Sequence, residues 1–183
     1  MSSQPAPAGR AILVTYASRG GSTAGVAEAI GRTLAGRGLE VDVRPMDAVH
    51  DLAPYRAVVA GSAVRRERWL PEALRFMQRH QPELAHTPCA TFLVCMALAT
   101  TDARRRERAQ RTAAAWLGPV RGLISPVSEG LFAGALDLSR IRERRYRLLF
   151  RLAIGLGFWA EGDYRDWAAI RSWAEGLPER LLA

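Results

Sequence analysis

The chain has 183 residues, of which 49% are hydrophobic and 24% charged, an ordinary globular balance at the size of one domain, so a long disordered or fibrous protein is excluded. Its formal charge of +8 comes entirely from arginine, since no lysine occurs, and partners carrying phosphate or carboxylate are favoured. Arginine pairs such groups bidentately, but an all-arginine choice is equally what a GC-rich coding sequence produces, and both readings stay open.

Met1 to Gly9, "MSSQPAPAG", has neither a basic start nor an apolar core; it is expected to be a disordered tail rather than a secretory signal, with residues 10–183 forming a single domain. "AILVTY", Ala11 to Tyr16, is an apolar run ended by glycines, as a strand buried on both faces requires. Val26, Ile30 and Leu34 then recur at helical spacing until Gly36 and Gly38, and "LEVDVR", Leu39 to Arg44, alternates as a second strand. "AVVAG", Ala57 to Gly61, predicts a third strand. Pro71 opens a helix with Leu70, Leu74 and Met77 on one face. "CATFLVCM", Cys89 to Met96, is the fourth strand, and Thr101 and Asp102 can cap a helix that turns Ala109, Ala113, Trp116 and Leu117 inward. A last strand lies within Val127 to Leu136, and the closing helix carries Trp167, Ile170, Ala174 and Leu177. Strands alternating with helices imply an α/β, doubly wound parallel sheet.

One piece exceeds that plan. "SRIRERRYRLLFRLAIGLGFW", Ser139 to Trp159, adds an amphipathic helix with Leu148, Leu149, Leu152 and Leu156 as its apolar stripe. It is too short for the roughly 20 apolar residues of a membrane span, and Arg151 interrupts it. The first reading is a surface helix packed on its own domain. The other is peripheral contact with an anionic membrane surface, aided by Phe158 and Trp159.

The cysteines Cys89 and Cys95 stand about 20 Å apart if they share a strand, too far for a disulfide, and this fits a reducing cytoplasm. Cys95 in an apolar strand is expected to be inert. His50, His80 and His86 show no ligand spacing with the cysteines or with each other, so no metal is expected.

The most informative stretch is "SRGGST", Ser18 to Thr23, between the first strand and first helix. In an open parallel sheet ligands bind outside the carboxyl ends of the strands, and small residues at a helix start admit an anion. A triphosphate loop needs a lysine, and the dinucleotide pattern GxGxxG is missing from this turn. A terminal monophosphate remains, with FMN the leading ligand for a five-stranded sheet; a turn without ligand is the alternative.

The chain "TYASRGGST" followed by "VAEAI" resembles the phosphate loop of flavodoxin-like proteins. It is most similar to the bacterial menaquinone-dependent protoporphyrinogen oxidases and their flavodoxin-domain relatives, through "AVVAGSAVR", "PEALRFMQRH", "GLFAGALD" and "YRDWAAIRSWAEGL", over about residues 11 to 178. The resemblance implies a three-layer sandwich with strand order 2-1-3-4-5 and an extra helix before the last one. It implies that Ser18, Arg19, Gly20, Gly21, Ser22 and Thr23 hold the FMN phosphate. Gly61, Ser62, Ala63 and Val64 would form a second loop beside the flavin ring, and Cys95, Met96, Ala97 and Leu98 a third. Neither segment supplies the aromatic that many flavodoxins stack on the ring, and Trp69 is expected to start the next helix.

Three functions follow. The first is an oxidoreductase that oxidises an anionic porphyrinogen-like substrate with membrane quinone as acceptor, cytoplasmic and peripheral to the inner face of the membrane; Arg65, Arg66 and Arg68 could meet the substrate carboxylates. The second is a small electron carrier, although strong positive charge would require an acidic partner. The third is a binding module without flavin, using "DARRRERAQR" at Asp102 to Arg111; no aromatics are interleaved for base stacking, so specific nucleic-acid binding is not expected.

Overall fold

Side chains alternate across a pleated strand, so Ile12 and Val14 of β1 (Ala11–Ala17) pack on one face of the sheet while Leu13 packs on the other, all fully buried. In this computed structural model, which describes residues 10–100, 102–140, 144–156 and 160–183, that strand is followed by α1 (Ser22–Gly36), β2 (Val41–Pro45) and β3 (Tyr55–Arg65). Next come β4 (Arg68–Trp69), α2 (Pro71–Arg79), α3 (Gln81–Leu84) and β5 (Cys89–Cys95). Then follow α4 (Ala103–Ala115), α5 (Gly118–Arg121), β6 (Ser128–Ala133) and β7 (Ala135–Leu136). The chain closes with α6 (Arg144–Gly155), β8 (Gly162–Asp163), α7 (Trp167–Glu175) and α8 (Pro178–Leu181).

The main sheet runs β2-β1-β3-β5-β6 with parallel pairing throughout, which is the expected order 2-1-3-4-5. Helices cover both faces. Val26, Ile30 and Leu34 of α1 and Ile170 and Ala174 of α7 bury one side, while Ala73, Phe76 and Met77 of α2, Ala113 and Val120 bury the other. Helix α7 presents Ile170 and Ala174 to the core as the spacing predicts, whereas Leu177, also buried, lies beyond its end as the residue before α8. Asp102 caps α4 by accepting the Arg105 N–H at 2.7 Å. The Met1 to Gly9 tail, Thr101, Phe158 and Trp159 lie outside the described residues.

The third strand is longer than "AVVAG" suggests. It begins at Tyr55 and continues through Arg65, where β4 folds back antiparallel with Val64 opposite Trp69 and Arg65 opposite Arg68. The two turn residues, Arg66 at φ 50° and Glu67 at φ 61°, are both left-handed. This backbone matches the twist of a two-residue hairpin, but it is the conformation that Asn-Gly adopts at least cost. Replacing Arg66-Glu67 by Asn-Gly is therefore expected to raise stability by about 1 kcal/mol, read as a thermal melt shifted up by a few degrees. An unchanged or lower midpoint would refute that strain.

Trp69 is 2% exposed and belongs to the core of the α2 face, so it precedes the helix as part of the hairpin rather than starting it. Opposite it across the sheet, Phe92, Phe132 and Trp173 form an aromatic triangle with ring centroids 5.5 to 6.3 Å apart. The Trp173 indole N–H completes it by donating to Ser128 Oγ at 3.1 Å.

Candidate functional site

The parallel register brings the carboxyl ends of β1, β3 and β5 side by side: Ala17 stands opposite Ser62, and Ala63 opposite Val94. The segments that follow these strands therefore converge on one pole of the sheet. At its centre is the loop Ser18–Gly21. Gly21 lies at φ 82° as the residue before α1, a left-handed conformation in which glycine alone is unstrained. Its N–H donates to Ser18 Oγ at 3.1 Å, and its carbonyl accepts the first helical bond from Gly25 at 3.1 Å. No side chain caps α1. The N–H groups of its first turn, at Ser22, Thr23 and Ala24, thus point into the loop with the positive end of a fifteen-residue helix behind them. Space around Gly20 is open, since nothing lies within 4 Å of where its Cβ would be. A terminal phosphate fits this cradle.

Arg19 does not reach over the cradle. It turns away to form an ion pair with Glu72 at 3.1 Å, which ties the loop to the start of α2. A different arginine, invisible to sequence reasoning, approaches from the other side. Arg165 donates from Nη1 to the Ser22 carbonyl at 3.4 Å and lies 4.3 Å over the Trp167 ring. It also grips Asp163 with two bonds of 2.7 Å, and those hydrogen bonds hold the Asp163 carboxyl below its ordinary range. The Ser22 hydroxyl accepts the Ala135 N–H at 2.9 Å. No motif announces this arrangement, because Arg165 and Ser22 are 143 residues apart.

The second and third segments need correction. Gly61 to Val64 is not a loop but the end of β3. Gly61 and Ser62 are buried, the Ser62 hydroxyl donating to the Ala63 carbonyl at 2.8 Å and accepting from Leu70 N–H at 3.0 Å, so it fastens the hairpin instead of facing a ligand. Ala63 and Val64 alone of the four reach the surface. Likewise Cys95 ends β5 and is 6% exposed, while Met96–Leu98 form a single 3-10 turn in which Met96 and Ala97 are accessible and Leu98 is buried. Burial pushes the Cys95 thiol up to about 11 and the Cys89 thiol up to about 12, so both free cysteines stay protonated and inert at neutral pH.

The pole thus presents an open turn with helix amides at the first carboxyl end and accessible apolar side chains, Ala63 and Val64, then Met96 and Ala97, at the next two. The flavodoxin domain model matches residues 13–167. The chain belongs to the flavodoxin-domain family. No sequence among curated proteins is similar to it. Its fold is shared with solved flavodoxins at low identity. A flavodoxin from the domain Archaea is 16% identical over 94% of this chain and 99% of its own, with a TM-score of 0.56. The flavodoxin of Streptococcus pneumoniae TIGR4 is 14% identical over 92% of this chain and 98% of its own, with a TM-score of 0.54. The rubredoxin:oxygen oxidoreductase of Desulfovibrio gigas is 15% identical over 97% of this chain, which spans 38% of that enzyme, with a TM-score of 0.51. The expected α/β flavodoxin-like fold is thereby established for this chain.

Proposed function

We propose that this flavodoxin-domain protein binds FMN and oxidises an anionic, porphyrinogen-like substrate, passing the electrons to a quinone. The observation that carries the cofactor is the uncapped start of α1 behind the left-handed Gly21. When bound, FMN supplies a ring that takes up hydride or single electrons. The chain's own residues do the rest. Amides of Ser22 and Thr23 and the Ser18 and Thr23 hydroxyls would hold the phosphate, and Gly20 leaves room for it. Ala63 and Val64 on one side, with Met96 and Ala97 on the other, would bound the ring with apolar surface and backbone. Arg66 and Arg68, both exposed on the hairpin beyond Val64, would pair with substrate carboxylates.

A second reading has its own support. Arg104, Arg105 and Arg108 are exposed at the start of α4, which follows the Met96–Leu98 turn, so basic side chains stand on both sides of the pole. Such a face suits an electron carrier whose protein partner is acidic.

The deciding experiment is a titration of the purified protein with FMN and with riboflavin, followed by flavin fluorescence quenching. FMN is expected to bind at least about tenfold more tightly than riboflavin, the contribution of a held phosphate. The flavin-loaded protein should then reduce a quinone when supplied with a porphyrinogen. Equal affinity for the two flavins would refute the phosphate cradle. Flavin binding with no porphyrinogen turnover, but electron exchange with an acidic redox protein, would select the carrier reading.

A further inference from the structure

The apolar stripe of α6 is not packed on the domain. Leu148, Leu149, Leu152 and Leu156 are 60%, 58%, 59% and 74% exposed, which corrects the expectation of a helix seated on its own core. They share one face, spaced i, i+1, i+4 and i+8. A cluster of leucines held in water in this way marks an interaction surface.

What covers it is indicated by charge. The helix reads "RRYRLLFRLAIG", with arginine at 144, 145, 147 and 151 and no acidic residue. A second copy of the chain would bring these arginines against their equivalents, which like-charge repulsion opposes. A bilayer carrying anionic lipids satisfies both parts, with acyl chains for the leucines and headgroup phosphates for the guanidinium groups. Twelve residues make a helix only about 18 Å long at 1.5 Å per residue, so it can lie in the interface but not cross it. Among the described residues, no helix is long and apolar enough to cross a membrane.

The stretch is also anchored beside the phosphate cradle. Ala135 before it donates to Ser22 Oγ, and Arg165 after it donates to the Ser22 carbonyl. We propose that α6 docks flat on an anionic membrane surface through Leu148, Leu149, Leu152 and Leu156, keeping the carboxyl pole of the sheet close to the lipid. This partner assignment does not depend on whether flavin binds.

The test uses the full chain and vesicles of phosphatidylcholine with or without phosphatidylglycerol. Co-sedimentation is expected with the anionic vesicles only, and added salt should weaken it. The triple variant L148S/L152S/L156S should bind at least about tenfold more weakly with an unchanged melting temperature, because the leucines contribute no core packing. R147Q/R151Q should lose the preference for anionic lipid. The proposal is overturned if the protein ignores both vesicles, if the leucine variant binds as well as the parent, or if light scattering shows a dimer that the leucine variant abolishes.

Discussion

Gly61→Val is expected to cost about 3 kcal/mol or more of folding stability. A Cβ at position 61 would meet three atoms of the Phe92 ring at 2.0 to 2.3 Å. Phe92 cannot withdraw. It is fully buried and locked between Phe132 and Trp173. Strand β3 cannot yield either, because it is paired on both sides in the middle of the sheet. Against a total stability of roughly 5 to 15 kcal/mol the loss is large, and the melting temperature should fall by about 6 to 12 °C for a chain of this size. Pairing the change with Phe92→Leu should recover part of the loss by vacating the ring's place. A melting temperature within about 2 °C of the parent would show that the ring has freedom the packing denies.

Gly21→Val is expected to weaken FMN binding by about ten- to a hundredfold while leaving riboflavin binding unchanged. At φ 82° a β-branched residue is strained by about 1 to 3 kcal/mol, and relief requires rotating the turn from which the first amides of α1 would meet the proposed phosphate. Each 1.4 kcal/mol lost from the bound state is a factor of ten in affinity. The comparison with riboflavin separates a damaged cradle from a damaged fold. Equal weakening of both flavins would place the defect in the ring site or in global stability.

The contrast between these two glycines shows what was legible beforehand. The cradle is local: a buried strand, a loop of small residues around Arg19 and an apolar helix follow one another within "LVTYASRGGSTAGVAEAI", and each signal concerns its immediate neighbours. The parallel, doubly wound sheet was legible in the alternation of strands and helices, and its order through the resemblance to flavodoxin-like proteins. Gly61 carried a misleading signal. The family resemblance placed it at the start of a loop, yet here it lies within β3 and makes room for an aromatic from the adjacent strand, a contact between residues 31 positions apart that no local pattern expresses. The hairpin was hidden for a related reason, as Arg66 and Glu67 are not residues that usually turn a chain. Arg165 went unseen because its partner, Ser22, belongs to the other end of the chain.

The two strands β7 and β8 give the extra helix a narrow root. Ala135 pairs with Asp163 and Leu136 with Gly162, Tyr164 N–H donates to the Gly134 carbonyl at 3.1 Å, and Leu138 N–H donates to Glu161 at 2.8 Å. The chain thus leaves the sheet after β6 and comes back to the domain at α7 through a closed stem, so everything between is a cassette whose length and composition can change without altering the register of the five parallel strands. Selection can therefore rewrite this appendage while the flavodoxin scaffold beneath it stays constant.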